Sequence, residues 1–326
     1  MGNTLEEHRQ TAAAPLDEDK IRAEMEAALA EEGRALMRAA PEIGIPYGTV
    51  SSWKNGTYQG NTQKVAAAVQ AWLISRTARA RARAVLPVEP DFVMTRTASQ
   101  IYDVLEFAQT TPCIGMITGS AGVGKTKAFQ AYREQLQRTV WIATMQPYHR
   151  SINAMLREIG WSLGMTEAST NFLLVQSIVR KLRDTRGLLI IDEAQHLPSD
   201  ALDQARSLQH AADVGMVLAG NVQLAANMGA DRRSSQLAQL HSRIGIRLHR
   251  DRPLKDDIRS LLDAWKLTGE EERGVAMAIA LKPGGARVMT MVLRMASMMA
   301  VAAGAEAPNV AHLQAAWQQL GMEGVA

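Results

Sequence analysis

Gly119-Ser120-Ala121-Gly122-Val123-Gly124-Lys125-Thr126 is the stretch that predicts the fold. It follows a short apolar run and precedes a segment of helical character, Lys127 to Leu136. In that context the pattern G-x-x-x-x-G-K-[ST] forms a phosphate-binding loop. The glycines let backbone N–H groups turn inward around nucleotide phosphates, and the helix N-terminus adds partial positive charge. We therefore expect these residues to bind the phosphates of a nucleotide, with Lys125 at the β- and γ-phosphates and the Thr126 hydroxyl on Mg²⁺.

Apolar runs of strand type recur after this loop and before it, separated by helical stretches. This alternation predicts an α/β fold, in which a parallel sheet is covered by helices on both faces. The chain from Lys255 onward has helical character throughout. The predicted strands are Cys113–Thr118, Val140–Thr144, Leu188–Asp192, Gly215–Ala219 and Ile244–Leu248.

The length of 326 residues predicts two or three domains. Residues 1–18 are polar and acidic without periodicity, and we expect a disordered leader. Pro87 and Pro90 indicate an extended linker, residues 87–92, after a helical domain at 19–86. The predicted ATPase core spans 93–252, and a helical domain follows at 253–326.

Composition argues against secretion, membrane insertion and zinc binding. Hydrophobic residues make up 47% of the chain, as in ordinary globular proteins. The one cysteine, Cys113, excludes an internal disulfide, and the histidines have no partners at zinc-ligand spacing. No apolar stretch of signal type begins the chain, and the run Val288–Ala303 is short and interrupted by Arg294. We expect a soluble cytoplasmic protein that does not engage a membrane.

The segment Gly44 to Gly56 has the pattern of a helix-turn-helix. Val50 and Trp53 are expected on its inner face, with the outward side chains at a DNA groove. A small helical bundle that mediates protein contacts is the alternative. Pro41 is expected to end the first helix of the pair early. The predicted outward residues are Ser51, Ser52 and Lys54.

The distribution of charged residues along the sequence favours a basic N-terminal module. Net charge is only +3, yet no Asp or Glu occurs between Ile43 and Val88. The stretch before it is acidic, so a basic module attracted to phosphate backbones is one interpretation and a solvated helix face is the other.

The third predicted strand, Leu188–Asp192, leads into two adjacent carboxylates, Asp192 and Glu193. Strands of a parallel sheet end at the edge that carries the phosphate loop, so Asp192 can hold Mg²⁺ and Glu193 can polarise an attacking water. Asn221 follows the next strand and can orient that water or sense the γ-phosphate; its alternative is a turn-forming residue. Arg243 can reach the nucleotide of a neighbouring subunit, and Arg287 can fold back onto the phosphates. Both arginines could instead make ordinary surface contacts.

Further basic residues form a candidate DNA-binding set. In a ring or filament they would follow a phosphate backbone without base readout, although each could be a solvated surface charge. The set is Arg180, Lys181, Arg183, Arg232, Arg233, Arg247 and Arg250.

With these motifs in this order the chain resembles an AAA+ ATPase, and more closely the B proteins of phage Mu and Mu-like prophages. The likeness runs from about residue 35 to about residue 320. It is carried by the phosphate loop, Asp192-Glu193-Ala194 and Leu218-Ala219-Gly220-Asn221, together with three further segments. These are Gly48-Thr49-Val50-Ser51-Ser52, Ser242-Arg243-Ile244 and Lys282-Pro283-Gly284.

The resemblance implies a protein that binds ATP, forms helical filaments on double-stranded DNA, and recruits and stimulates a DDE transposase. Hydrolysis would then disassemble filaments near the element's own ends and give target immunity. Gln195 stands where the family pattern has an acidic residue, and we expect this difference to have little effect. The rival interpretations are a helicase loader with the same ATPase core and a helix-turn-helix transcription regulator.

Overall fold

The computed structural model describes residues 15–31, 33–85, 89–136, 139–165, 170–230, 240 and 242–321. Contacts within the chain divide it into two compact units, Met1–Leu86 and Pro87–Ala326. The division falls at the start of the predicted linker. Most of the predicted leader, residues 1–14, lies outside the described residues.

The N-terminal unit is helical, and its apolar residues share one core. Val50 and Trp53 are fully buried, which places them on the inner face as predicted. They pack with Ile21 and Met25 of the first helix and with Val69 of the last. The helices are α1 (Glu18–Glu31), α2 (Leu36–Ile43), α3 (Tyr47–Lys54) and α4 (Thr62–Val85).

The expectation that Pro41 ends its helix early is wrong, because α2 continues through Pro41 to Ile43. A proline in this position lacks one backbone donor. Ala39, Ala40 and Ile43 are buried in the core of the unit, and this burial holds the last turn together. The helix ends instead at Gly44, whose φ of 76° lies in the left-handed region.

Acidic side chains of α1 pair with the basic stretch that follows it in sequence. Lys54 Nζ lies 3.1 Å from Glu26 Oε1, and Arg76 Nη2 lies 2.7 Å from Glu31 Oε2. Glu18 accepts a hydrogen bond from the indole of Trp53 at 3.1 Å. The charge segregation seen along the sequence is therefore partly neutralised within the folded unit.

All five predicted strands are present and form one parallel sheet in the order β2-β3-β4-β1-β5. β1, β3 and β4 are buried along their whole length, whereas β5 lies at the edge and alternates in exposure. Each of these three buried strands ends at the edge that carries the phosphate loop. The strands are β1 (Ile114–Gly119), β2 (Val140–Thr144), β3 (Leu188–Asp192), β4 (Gly215–Gly220) and β5 (Ile244–Arg250).

Helices cover both faces of this sheet, as the α/β pattern predicts. One core contains Ile101, Leu105 and Phe129, and the other contains Met155 and Leu156. The covering helices are α5 (Arg96–Thr110), α6 (Lys125–Leu136), α7 (Ile152–Ser162), α8 (Asn171–Leu182), α9 (Ser199–Ala212) and α10 (Val222–Ala230), with a short 3₁₀ turn at Ala194–His196.

The C-terminal part of the second unit is a helical bundle with a core of its own. Its longest helix is apolar and long enough to cross a membrane by length and composition alone. However, Val292, Leu293 and Ala296 of this helix are buried in the bundle core. The helices are α11 (Lys255–Ala264), α12 (Glu270–Ala280), α13 (Gly285–Ala302) and α14 (Val310–Gln319).

A buried polar contact ties this bundle to the helices that cover the sheet. Asp257 in α11 accepts hydrogen bonds from both the backbone N–H (3.1 Å) and the hydroxyl of Thr97 in α5. Its carboxylate also accepts from the backbone N–H of Leu254 at 3.3 Å. Thr97 and Asp257 are only 1% and 4% exposed.

Replacing Asp257 with Ala removes the acceptor for three donors, two of them on Thr97, which is buried. An unsatisfied buried polar group costs roughly 1–3 kcal/mol, and we expect the free energy of unfolding to fall by about that amount. Urea unfolding followed by circular dichroism measures the change. The matched control is Asp256→Ala, since that carboxylate is 65% exposed and pairs only at the surface with Arg259. Equal losses in the two variants would show that the buried contact contributes nothing special.

Candidate nucleotide-hydrolysis site

The phosphate loop is held on both sides by backbone. Ser120 N–H, just after β1, donates to the carbonyl of Arg250 at the end of β5 at 3.2 Å. Gly122 and Gly124 have φ values of 85° and 97°, in the left-handed region that favours glycine. A Cβ on Gly122 would overlap the carbonyl oxygen of Gly284, whereas a Cβ on Gly124 would meet nothing within 4 Å.

Lys125 is the first residue of α6, and its ammonium lies within the loop. Nζ donates to the carbonyl oxygens of Gly119 at 2.8 Å and Ser120 at 3.1 Å. Burial lowers the pKa of Lys125, while the carboxylates of Asp192 and Glu193 oppose that shift. The positive charge is thus positioned at the loop, where an anionic ligand would meet it.

Asp192 ends β3 and is only 1% exposed. Its Oδ2 accepts a hydrogen bond from the Thr126 hydroxyl at 2.9 Å, and its Oδ1 accepts from the Glu193 N–H at 2.9 Å. Burial raises the pKa of this carboxyl, and those two hydrogen bonds oppose the shift. Hydroxyl and carboxylate oxygens are hard ligands of the kind that Mg²⁺ prefers, so this pair fits the metal, with water and phosphate as its other ligands.

Glu193 and Asn221 follow the adjacent strands β3 and β4, and they are joined by the side chain of Gln195, a residue that we expected from the sequence to have little effect. Gln195 Nε2 donates to Glu193 Oε2 at 2.5 Å, and Gln195 Oε1 accepts from the Asn221 N–H at 3.2 Å. The Asn221 side chain accepts from the N–H of Gln223 at 2.8 Å, at the start of α10. A long amide side chain two residues after the carboxylate pair was the available signal for this contact.

The C-terminal bundle reaches the phosphate loop through the first turn of α13. Ala286 N–H donates to the Gly122 carbonyl at 3.1 Å. The next residue, Arg287, is exposed, and its charge contributes to the lowered pKa of Lys125. The first turn of α13 therefore lies against the loop, and the role of Arg287 in phosphate binding stays a prediction.

Arg243 does not belong to the site of its own chain. It directly precedes β5, whereas the phosphate loop meets the other end of that strand at Arg250. Seven residues of strand at roughly 3.3 Å each separate the two by about 20 Å. Arg243 is exposed at the amino-terminal end of β5, and the phosphate loop lies at the carboxyl-terminal end of the same strand.

The predicted DNA-binding residues differ in how exposed they are and in whether they already make contacts within the protein. Arg180 and Lys181, at the end of α8, and Arg247, on β5, are exposed. Arg183 donates to the carbonyl of Ala211 at 3.0 Å, which satisfies the last turn of α9. Arg250 is half-buried and donates to Gln100 Oε1 at 2.5 Å.

In the N-terminal unit, Ser51 and Ser52 are half-buried on α3, and Lys54 is half-buried and paired with Glu26. Arg232 and Arg233 lie outside the described residues. Structural contacts therefore already occupy Lys54, Arg183 and Arg250.

Comparison with known proteins identifies two regions of the chain. A family model described as the C-terminal part of the Mu B transposition protein matches residues 242–320, and a model of an AAA domain matches residues 108–228. The ATP-dependent target DNA activator B of Escherichia phage Mu is 36% identical over 304 residues, 93% of this chain and 96% of that protein. The DNA transposition protein B of the Mu-like prophage FluMu of Haemophilus influenzae is 37% identical over 254 residues, 77% of this chain and 87% of that protein.

Solved structures share the fold of the second unit. The ORC2 protein of Aeropyrum pernix, in its ADPNP-ADP complexes, aligns with a TM-score of 0.57 at 17% identity. The alignment covers 73% of this chain and 70% of that one. The sheet order, the phosphate loop and the C-terminal helical bundle together constitute an AAA+ fold.

Two glycine substitutions separate backbone strain from the contact with Gly284. Both Gly122→Ala and Gly124→Ala force an L-residue into the left-handed region, which costs roughly 1–2 kcal/mol. Only Gly122→Ala also drives a methyl group into the Gly284 carbonyl. We expect the thermal midpoint without nucleotide to fall further for Gly122→Ala than for Gly124→Ala. Similar midpoints in differential scanning calorimetry would contradict a tight contact between loop and bundle.

Proposed function

The chain belongs to the family of Mu B transposition proteins, and we propose that it is an ATP-dependent activator of target DNA. In this proposal, ATP bound between neighbouring copies assembles a helical filament on double-stranded DNA. The filament delivers that DNA to the DDE transposase of the same element and stimulates it. The contact between Thr126 and Asp192 beside Lys125 is the observation that carries the ATPase part of the proposal.

ATP binding requires a rearrangement of the loop. Lys125 exchanges its hydrogen bonds to the Gly119 and Ser120 carbonyls for the β- and γ-phosphates, while backbone N–H groups of the loop surround them. Thr126 and Asp192 would hold Mg²⁺, which when bound supplies positive charge against the developing charge of the phosphoryl group.

We assign Glu193 as the group that accepts the proton of the attacking water, because it follows directly after the proposed Mg²⁺-binding carboxylate. Asn221 is assigned to orient that water or to sense the γ-phosphate, because β3 and β4 are neighbours and both side chains leave the same edge of the sheet. Arg287 is assigned to the phosphates of its own chain, supported by its proximity to Lys125.

The position of Arg243 supports a role in the neighbouring subunit. It lies about 20 Å from the phosphate loop of its own chain by the rise of β5. An arginine supplied in trans can accelerate phosphoryl transfer by roughly 10³–10⁵ in GTPases. Hydrolysis would then depend on assembly, and its products would release the filament and so give target immunity.

DNA binding without sequence preference is supported by the exposed basic residues Arg180 and Lys181. Arg247 is exposed as well but already interacts within the protein, so its contact with DNA stays a prediction from the sequence. Contacts to phosphates give binding that depends on salt and not on sequence. We leave Lys54, Arg183 and Arg250 out of this surface because each is held by a contact within the protein. Arg232 and Arg233 stay predictions from the sequence.

Electron microscopy of the protein on random-sequence duplex tests the proposal. We expect continuous coating with a slowly hydrolysed ATP analogue, and none without nucleotide. Lys125→Ala should abolish coating, whereas Lys127→Ala, an exposed lysine two residues further on, should preserve it. Equal coating without any nucleotide would overturn the proposal, and so would protection confined to one particular sequence.

A mixing experiment tests whether Arg243 acts in trans. Glu193→Gln should bind ATP and form long-lived filaments without hydrolysis, and Arg243→Ala should bind ATP without efficient hydrolysis. In mixed filaments, an intact Glu193 from one variant meets an intact Arg243 from the other. We therefore expect phosphate release with DNA to recover in the mixture, although each variant alone is inactive.

The control for this experiment mixes each variant with Glu193→Gln/Arg243→Ala, which is expected to assemble but offers neither an intact Glu193 nor the arginine. No recovery in the first mixture would mean that Arg243 does not complete a neighbour's site.

A further inference from the structure

We propose that Gln195 is a positioning residue for ATP hydrolysis, which holds the Glu193 carboxylate and connects it to the end of β4 at Asn221. This inference rests on the proposed role of Glu193 as the group that accepts the proton. It concerns a residue that the sequence comparison treated as having little effect.

The polarity of both contacts agrees with a single orientation of the Gln195 amide. Its NH₂ group faces a carboxylate oxygen, which can only accept while ionised, at 2.5 Å. Its oxygen faces a backbone N–H, that of Asn221, at 3.2 Å. A rotated amide would place two acceptors together on one side and two donors together on the other. Both groups therefore select the same orientation.

The two hydrogen bonds from Gln195 to Glu193 and Asn221 form a bridge, and the backbone around Gln195 leaves room for it. Glu193 has a φ of 56°, in the left-handed region, and starts the 3₁₀ turn Ala194–His196. Ala194, the first residue of this turn, and Leu197, directly after it, are buried in the core. A Cβ on Gly220, the last residue of β4, would lie 2.5 Å from Gln195 Oε1. The absence of a side chain there leaves the space that the amide occupies.

Two consequences follow for the reaction. Glu193 Oε2 is engaged by Gln195, so the carboxylate has a defined orientation and Oε1 is left to meet a water molecule. The same amide touches the backbone of Asn221, so a displacement of the end of β4 is transmitted to the carboxylate. A contact of this kind changes the rate of the chemical step and leaves the affinity for nucleotide unchanged, because within the described part of the chain the Gln195 side chain bonds to Glu193 and Asn221 and not to the loop or Lys125.

Two near-isosteric substitutions separate the halves of the bridge. Gln195→Met keeps the length of the side chain and removes both hydrogen bonds. Gln195→Glu keeps an acceptor for the Asn221 N–H but removes the donor to Glu193 and adds a like charge. Gln223→Met is the matched control, since Gln223 is exposed and its side chain is not assigned to the site.

We expect kcat for DNA-dependent ATP hydrolysis to fall about 10–100-fold in Gln195→Met, the range seen when residues that orient reactive groups are removed. The drop in Gln195→Glu should be smaller, because this variant keeps the acceptor for the Asn221 N–H and the family pattern has an acidic residue at this position. The Kd of a fluorescent ATP analogue should not change in either variant, and Gln223→Met should behave as the wild type. In the Glu193→Gln background, Gln195→Met should lower the residual rate no further, because the group that it positions is already gone.

An unchanged kcat in Gln195→Met overturns the inference, as does an additive loss in the Glu193→Gln background. A parallel loss of nucleotide affinity would mean that Gln195 supports the fold of the site as a whole, which also overturns it. If Gln195→Met does not fold, Gln195→Glu decides by the same criteria. Failure of the proposed function has a different signature, since Glu193→Gln itself would then hydrolyse ATP at the wild-type rate.

Discussion

Parallel pairing brings the carboxyl ends of β1, β3 and β4 to one edge of the sheet, and the candidate site depends on this register. β4 lies between the other two strands, so the phosphate loop after β1 and the carboxylates after β3 are separated by one strand. The Thr126 hydroxyl spans this gap to Asp192 at 2.9 Å. Because a buried carboxylate is costly without a partner, this bond holds the loop and β3 in a fixed relation. Asn221, directly after the strand in between, is joined to the same edge by Gln195, which follows β3.

The C-terminal bundle is joined to this edge by backbone rather than by side chains alone. The carbonyl of Gly122 accepts from Ala286, and the space for that approach exists only because Gly122 has no Cβ. The buried contact between Thr97 and Asp257 fixes the bundle at a second place on the core. Two separate contacts of this kind make the position of the bundle sensitive to the conformation of the loop. A nucleotide that reshapes the loop would therefore act directly on the bundle.

In the N-terminal unit, charge along the chain and charge in space differ. The stretch between Ile43 and Val88 has no acidic residue, which favours attraction to DNA. In the folded unit, however, Glu26 and Glu31 of α1 lie against Lys54 and Arg76. These ion pairs weaken the positive electrostatic potential that the unit would present to a DNA phosphate backbone. The prediction of protein contacts and the prediction of DNA contacts both remain for this unit, and the pairing of Lys54 lends weight to the first.

The sheet, the phosphate loop and the two carboxylates could be predicted from the sequence, since strand runs and the phosphate-loop pattern depend on local spacing that the fold preserves. The sequence also placed Val50 and Trp53 in a core. The folded structure was needed to establish which polar groups meet across elements: Gln195 with Glu193 and Asn221, Arg183 with α9, and Arg250 with Gln100. It also carried α2 through Pro41, because burial of Ile43 and its neighbours outweighs one missing hydrogen bond. These outcomes depend on residues distant in sequence or on a competition between burial and local propensity, and neither is visible in spacing along the chain.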